Sequence, residues 1–190
     1  MLSAKYKAWG FEIWNEPDVP RGFAVPEYFG SWVKLNEFYL AGRAYGAFCS
    51  EVYGQIHATG ANVIAGALVG SESSLEFAQG MVDGGLRCDY VSFHKYLRMG
   101  DDFDAGYNFS AELQNIVKKP LIWNETNIMG DGSPEHRKRQ AEYLTYLRNS
   151  YTWVGIAALL VYSLHNWQWE YASLIADGQL TPAYEVWSAD

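Results

Sequence analysis

Two glutamates that end short apolar runs are the residues of this sequence best suited to catalysis. Glu16 follows the run 11–14, and Glu125 follows the run 120–123. A pair of carboxyl groups flanking an acetal carbon can break a glycosidic bond. One protonates the leaving oxygen, and the other attacks the anomeric carbon or activates a water molecule. Because the two glutamates lie far apart in the sequence, this chemistry requires a fold that brings two distant strand ends together.

Short apolar runs alternate with amphipathic stretches along the chain, which predicts an α/β protein. The predicted strands cover 11–14, 62–67, 90–96, 120–125 and 155–162, and the predicted helices cover 45–56, 74–81, 110–117 and 134–151. Such an alternation favours a parallel sheet of right-handed βαβ units. No glycine-rich phosphate loop follows a strand, and polar residues gather at three strand ends. A (β/α) barrel, whose active site lies on that rim, is therefore favoured over an open nucleotide-binding sheet.

Alternation of side chains along each strand predicts which residues face the barrel interior. The residues expected to face inward are Glu12, Trp14 and Glu16 in the first strand, Ser92, His94 and Tyr96 in the third, and Leu121, Trp123 and Glu125 in the fourth. Trp14 should then disfavour the charge of Glu16 by desolvation, and a donor such as Tyr96 should favour ionised Glu125.

Charge and composition indicate which classes of partner the protein could bind. The formal charge of −8 argues against nucleic acid, since a polyanion is repelled at long range. No apolar run approaches the length of a membrane span, and the first residues lack the apolar stretch of a signal peptide, so a soluble protein is expected. Cys49 and Cys88 fit no disulfide framework or metal-ligand spacing. Aromatic residues make up 16% of the chain, and their flat faces suit stacking against sugars.

Four segments taken together resemble the clan A glycoside hydrolases, which are retaining β-glycosidases with a TIM-barrel fold. The segment 14–17 (Trp-Asn-Glu-Pro) resembles the acid/base motif of their fourth strand, and 123–126 (Trp-Asn-Glu-Thr) resembles the nucleophile segment of the seventh. The segment 92–96 is similar to the sixth-strand His-x-Tyr pattern, and Tyr162-Ser163 with a following tryptophan resembles the end of the eighth strand. The likeness is closest to the xylosidase-like and cellulase-like families.

This resemblance implies a role for each matching residue. Glu16 would be the acid/base and Glu125 the nucleophile. The implied substrate-binding residues are Asn15 for the sugar 2-hydroxyl, His94 and Tyr96 for the sugar and the nucleophile, and either Trp167 or Trp169 for the floor of the subsite. The reaction uses neither a cofactor nor a metal.

Because the fourth-strand motif lies at position 16, residues 1–190 are expected to form a single partial (β/α)8 domain, from strand four to strand eight. Its open edges should be covered by self-association into a homodimer or higher oligomer. The expected function is retaining hydrolysis of β-linked glycosides. The alternative is an inactive half-barrel that self-assembles and at most binds carbohydrate. A lyase is disfavoured, since Lys95 is expected to point outward.

Overall fold

The computed structural model describes residues 8–19, 37–150, 155–161, 175–176 and 179–183. Its elements, in chain order, are β1 (Gly10–Ile13), α1 (Phe38–His57), β2 (Asn62–Leu68), α2 (Glu72–Asp83), β3 (Tyr90–Arg98), α3 (Ala105–Val117), β4 (Leu121–Met129), α4 (Pro134–Ser150), β5 (Ile156–Val161), β6 (Ile175–Ala176) and β7 (Gln179–Leu180). No helix in these ranges is both long enough and apolar enough to cross a membrane.

Strands β1 to β5 form one parallel sheet in the order in which they occur along the chain, so each βαβ unit adds the next strand. The pair β6 and β7 forms a separate antiparallel ribbon. The predicted α/β class and partial (β/α) barrel with five parallel strands are thus confirmed. Because all five strands run the same way, their carboxyl ends meet at one edge.

The main hydrophobic core lies between the sheet and the helices. Its largest fully buried side chains include Tyr45, Phe77, Phe93, Trp123 and Tyr143. Every second side chain of each strand points away from this core, to the inner face of the sheet. Ile64 and Ile122 are buried there without joining the helix-side core. The polar side chains described below lie on the same inner face, beyond these isoleucines.

Helices α1 and α2 cross with their backbones in direct contact, because glycines lie at the crossing. A Cβ atom at Gly46 would lie 2.2 Å from the carbonyl oxygen of Met81, and one at Gly80 would lie 2.1 Å from that of Tyr39. Neither distance leaves room for a side chain. This crossing fixes α2, whose first turn supports the loop that follows β1.

The predicted inner face of β4 is wrong for Leu121 and Trp123. Phe93 pairs with Trp123 and the next residue, His94, pairs with Glu125, so Asn124 is the extra residue of a β-bulge. Leu121 and Trp123 therefore belong to the helix-side core, where the Trp123 ring stacks 5.2 Å from the Phe93 ring. The bulge then turns Glu125 inward.

Strand β5 also departs from its prediction as a strand buried on both faces. Ala157 is exposed and Leu160 is 51% exposed. Among the described strands, β4 is the one neighbour of β5.

Candidate active site

The two predicted catalytic carboxyl groups converge on one histidine. His94 Nδ1 lies 2.9 Å from Glu16 Oε1 and 3.5 Å from Glu125 Oε2. The two oxygens can therefore be no more than about 6.4 Å apart, which is the sum of these distances. The His94 side chain is 1% exposed, whereas those of Glu16 and Glu125 are 32% and 29% exposed. Both carboxyl groups thus face open space above a buried imidazole.

Strand β3 supplies the polar groups that hold this pair. Its inward residues alternate as predicted: Ser92 donates to Glu12, His94 contacts both carboxyl groups, and the Tyr96 hydroxyl donates to Glu125 Oε2 at 2.7 Å. Nδ1 is the ring nitrogen of His94 that faces both carboxyl groups, and it donates to an ionised carboxylate in the tautomer that carries the proton on Nδ1. Its Nε2 atom is buried and has no hydrogen-bond partner within the described ranges.

The residues after β1 form a loop, so the inward alternation predicted for Glu12, Trp14 and Glu16 does not continue past Ile13. Trp14 and Glu16 have φ angles of 73° and 50°, in the left-handed region that residues other than glycine seldom adopt. Such conformations cost about 1–3 kcal/mol each and persist where surrounding contacts impose them. One contact is the Glu16 N–H, which donates to the carbonyl of Ala67 at 3.0 Å. Trp14 packs against the helix-side core, which corrects its predicted inward position.

The exposed residue between them, Asn15, lies on the solvent side of this loop. Its predicted bond to the sugar 2-hydroxyl stays a prediction. Trp167 and Trp169, the predicted alternatives for the subsite floor, lie outside the described residues, as does Tyr162.

The bulge in β4 places a third carboxyl group beside the pair. The Asn124 side-chain amide donates to Glu12 Oε2 at 2.7 Å, and the Ser92 hydroxyl donates to the same oxygen at 2.6 Å. Burial raises the pKa of Glu12, the bond from Ser92 and the nearby His94 lower it, and the charge of Glu125 raises it. The sequence placed Glu12 on the inner face correctly but gave it no role.

Sequence reasoning missed Asp18, a buried carboxyl group two residues after Glu16. It is 1% exposed, both its oxygens lie 3.1 Å from the backbone nitrogen of Val69, and it accepts a hydrogen bond from the Ser74 hydroxyl. Burial is the largest influence on it and raises its pKa, against the lowering effect of these donors. Asp18 follows Pro17 in the sequence, but it lies in no apolar run and no sequence pattern predicts that it is buried.

Comparison with known proteins supports this architecture. No protein-family model matches the sequence, and no curated protein matches it either. The structure is similar to a GH128 subgroup II endo-β-1,3-glucanase from Sorangium cellulosum (20% identity, TM-score 0.70, 97% of this chain and 71% of that one). It is also similar to a GH128 subgroup VI exo-β-1,3-glucanase from Aureobasidium namibiae (14%, 0.67, 94% and 66%).

A third similar structure is a subgroup I endo-β-1,3-glucanase from Amycolatopsis mediterranei, crystallised as a glutamate-to-alanine variant with laminaripentaose (17%, 0.62, 99% and 75%). This chain spans about two thirds to three quarters of the length of these enzymes. At these identities the likeness shows the fold, and these neighbours are glycoside hydrolases with a TIM-barrel-like architecture. The narrower assignment to clan A, and within it to the xylosidase-like or cellulase-like families, stays a prediction.

Proposed function

We propose that this chain carries the catalytic carboxyl pair of a retaining glycoside hydrolase acting on β-1,3-linked glucans. The observation that carries the proposal is the sharing of His94 Nδ1 by Glu16 and Glu125. The resulting limit of about 6.4 Å between Glu16 Oε1 and Glu125 Oε2 accommodates the separation of about 5–5.5 Å typical of retaining enzymes. Inverting enzymes hold their carboxyl groups farther apart, at roughly 6.5–9.5 Å, to leave room for an intervening water.

In the first step Glu125 attacks the anomeric carbon and forms a glycosyl–enzyme ester. The bond between that carbon and the glycosidic oxygen breaks as Glu16 donates its proton to the departing oxygen. Tyr96 and His94 each approach Glu125 Oε2, at 2.7 and 3.5 Å, which fixes the carboxylate and leaves its second oxygen for the attack. Fixing a nucleophile in this way lowers the entropic part of the barrier.

In the second step Glu16, now ionised, takes a proton from water, and the resulting oxygen attacks the same carbon. The ester bond to Glu125 breaks and the carboxylate regains its charge, so two inversions give net retention. His94 Nδ1–H lies 2.9 Å from Glu16 Oε1, where it can donate to this residue when Glu16 is ionised. Partial exposure of both carboxyl groups leaves a path for the attacking water.

The substrate class is proposed from the structural neighbours, which are endo- and exo-acting β-1,3-glucanases. The Amycolatopsis mediterranei enzyme was crystallised with laminari-oligosaccharides after replacement of a glutamate at either of two positions. We assign the same combination to this chain, namely two functional glutamates and a β-1,3-glucan ligand.

Hydrolysis of laminaripentaose tests the proposal. Wild type should release shorter laminari-oligosaccharides, and Glu16→Gln and Glu125→Gln should each lower kcat by at least about 100-fold, because each removes a group used in bond breaking. Glu51→Gln, an exposed change on α1, is the matched control and should keep the wild-type rate. Proton NMR should detect the β-anomer of the product first.

Two outcomes would contradict the proposal. Early release of the α-anomer would indicate inversion and remove the nucleophilic role of Glu125. Binding of laminaripentaose by folded wild type without any hydrolysis would instead favour the alternative, a non-catalytic half-barrel that binds carbohydrate.

A further inference from the structure

Asp18 joins the loop that carries Glu16 to two other elements. Its two carboxylate oxygens face the backbone N–H of Val69, just after β2, and its Oδ2 accepts the hydroxyl proton of Ser74 in the first turn of α2. A carboxyl group that is 1% exposed is seldom tolerated without such partners. The bonds therefore tie the loop to a rigid strand end and a rigid helix.

The same strand end holds Glu16 itself. The Glu16 N–H donates to Ala67, two residues before the Val69 N–H that contacts Asp18. Glu16 is thus bonded to β2 at Ala67, and Asp18 to the residue just after β2, Val69. Positive φ angles at Trp14 and Glu16 show that the free loop would prefer another path.

Support also reaches Asp18 from the helix cap. Ser71 and Ser74 form the capping box of α2, in which the Ser71 N–H donates to Ser74 Oγ at 3.0 Å. That bond orients the Ser74 hydroxyl, whose own proton is given to Asp18. The start of α2 is therefore built to face the loop after β1.

We propose that Asp18 is a positioning residue that holds the acid/base Glu16 in its catalytic orientation. This inference rests on the proposed function. Loss of the Asp18 carboxyl group frees the loop to leave its left-handed conformation, which moves the Glu16 carboxyl group away from His94 Nδ1. Glu125 is held by β3 and β4 and keeps its place. The defect is therefore confined to proton transfer.

Leaving-group dependence separates this effect from general damage. A phenyl β-laminaribioside needs protonation by Glu16 to depart, whereas a 2,4-dinitrophenyl β-laminaribioside departs without it. General acid–base catalysis contributes about 10²–10⁴-fold. Asp18→Ala should therefore lower kcat/KM for the phenyl substrate by about 100-fold and for the dinitrophenyl substrate by about threefold or less. Added azide should accelerate turnover of the dinitrophenyl substrate and yield the β-glycosyl azide.

Two further variants sharpen the test. Asp18→Asn keeps an oxygen that can accept from the Val69 N–H. Its amide N–H can donate to the Ser74 hydroxyl oxygen, so kcat/KM for the phenyl substrate should stay within about threefold of wild type. Asp89→Ala is the matched control, because Asp89 also accepts a backbone N–H, that of Val63 at 2.8 Å, at the opposite end of β2 from Val69. This variant should change kcat/KM for the two substrates by the same factor.

Glu16→Ala is the reference for the proposed function. If it shows no leaving-group discrimination and no azide rescue, the acid/base assignment itself fails. If it shows both while Asp18→Ala slows the two substrates equally or neither, the positioning role is overturned. Should Asp18→Ala not fold by circular dichroism, Ser74→Ala removes one donor to the carboxylate. It should show the same discrimination to a smaller degree, and equal slowing of both substrates would refute the inference.

Discussion

An alanine at Gly46 tests the link between the helix crossing and the stability of the sheet. Its Cβ would lie 2.2 Å from the carbonyl oxygen of Met81 and 2.8 Å from the Met81 carbonyl carbon and Cα. Ordinary contacts lie near 3.5 Å, so the two helices must separate by about 1 Å. Overpacking costs about 1–3 kcal/mol, and the obstacle here is backbone, so we take about 3 kcal/mol.

Alanine has a higher helix propensity than glycine, which stabilises the helix by about 1 kcal/mol. The free energy of unfolding of Gly46→Ala should therefore be about 2 kcal/mol lower than that of wild type. Gly54→Ala, in the same helix, is the matched control. Its Cβ would have nothing within 4 Å, so it should gain about 1 kcal/mol. Urea denaturation followed by circular dichroism measures the free energy of unfolding of both variants. In a thermal melt, the Tm of Gly46→Ala should fall by about 4–8 °C. Equal stability of the two variants would refute the close crossing of α1 and α2.

Three further predictions concern reactivity, kinetics and assembly. Burial raises the pKa of Cys49 and of Cys88 to about 12, so disulfide reagents should label these thiols only after unfolding; rapid labelling of the native protein would contradict this burial. Tyr96→Phe should slow deglycosylation about tenfold, because Glu125 regains its charge without the hydrogen bond from Tyr96. Stopped-flow with the dinitrophenyl substrate should show a slower steady state after the burst of dinitrophenolate than wild type shows, and an unchanged steady state would contradict this role. The described sheet leaves β1 and β5 each with one strand neighbour, so light scattering should show a dimer or larger species, and a lone 21.5 kDa monomer would exclude self-association.

The strand order and the inward residues of β3 could be predicted because each depends on local patterns. Apolar runs alternating with amphipathic stretches specify parallel βαβ units, and the period of two places Ser92, His94 and Tyr96 on one face. The structure confirms both. Convergence of Glu16 and Glu125 also followed from the rule that strand ends share one edge.

The sequence could not reveal where the period breaks. Asn124 adds one residue to β4, so Trp123 faces the helices although Glu125 faces inward. Glu125 therefore faces inward as predicted, but through the bulge and not through an unbroken alternation. Similarly, β1 ends at Ile13, and Glu16 reaches the site through a left-handed loop. A bulge or a strained turn is decided by tertiary contacts, such as those of Asp18, which lie far away in the sequence.

Covalent trapping tests the central claim most directly. A 2-deoxy-2-fluoro β-laminaribiosyl fluoride should slow both steps and let the glycosyl–enzyme ester accumulate, and mass spectrometry of the digested protein should find the added sugar on Glu125. Glu125→Gln should remain unlabelled under the same conditions. A label on Glu16 or Glu12, or no label on folded protein that hydrolyses laminaripentaose, would contradict the assignment of Glu125 as the nucleophile.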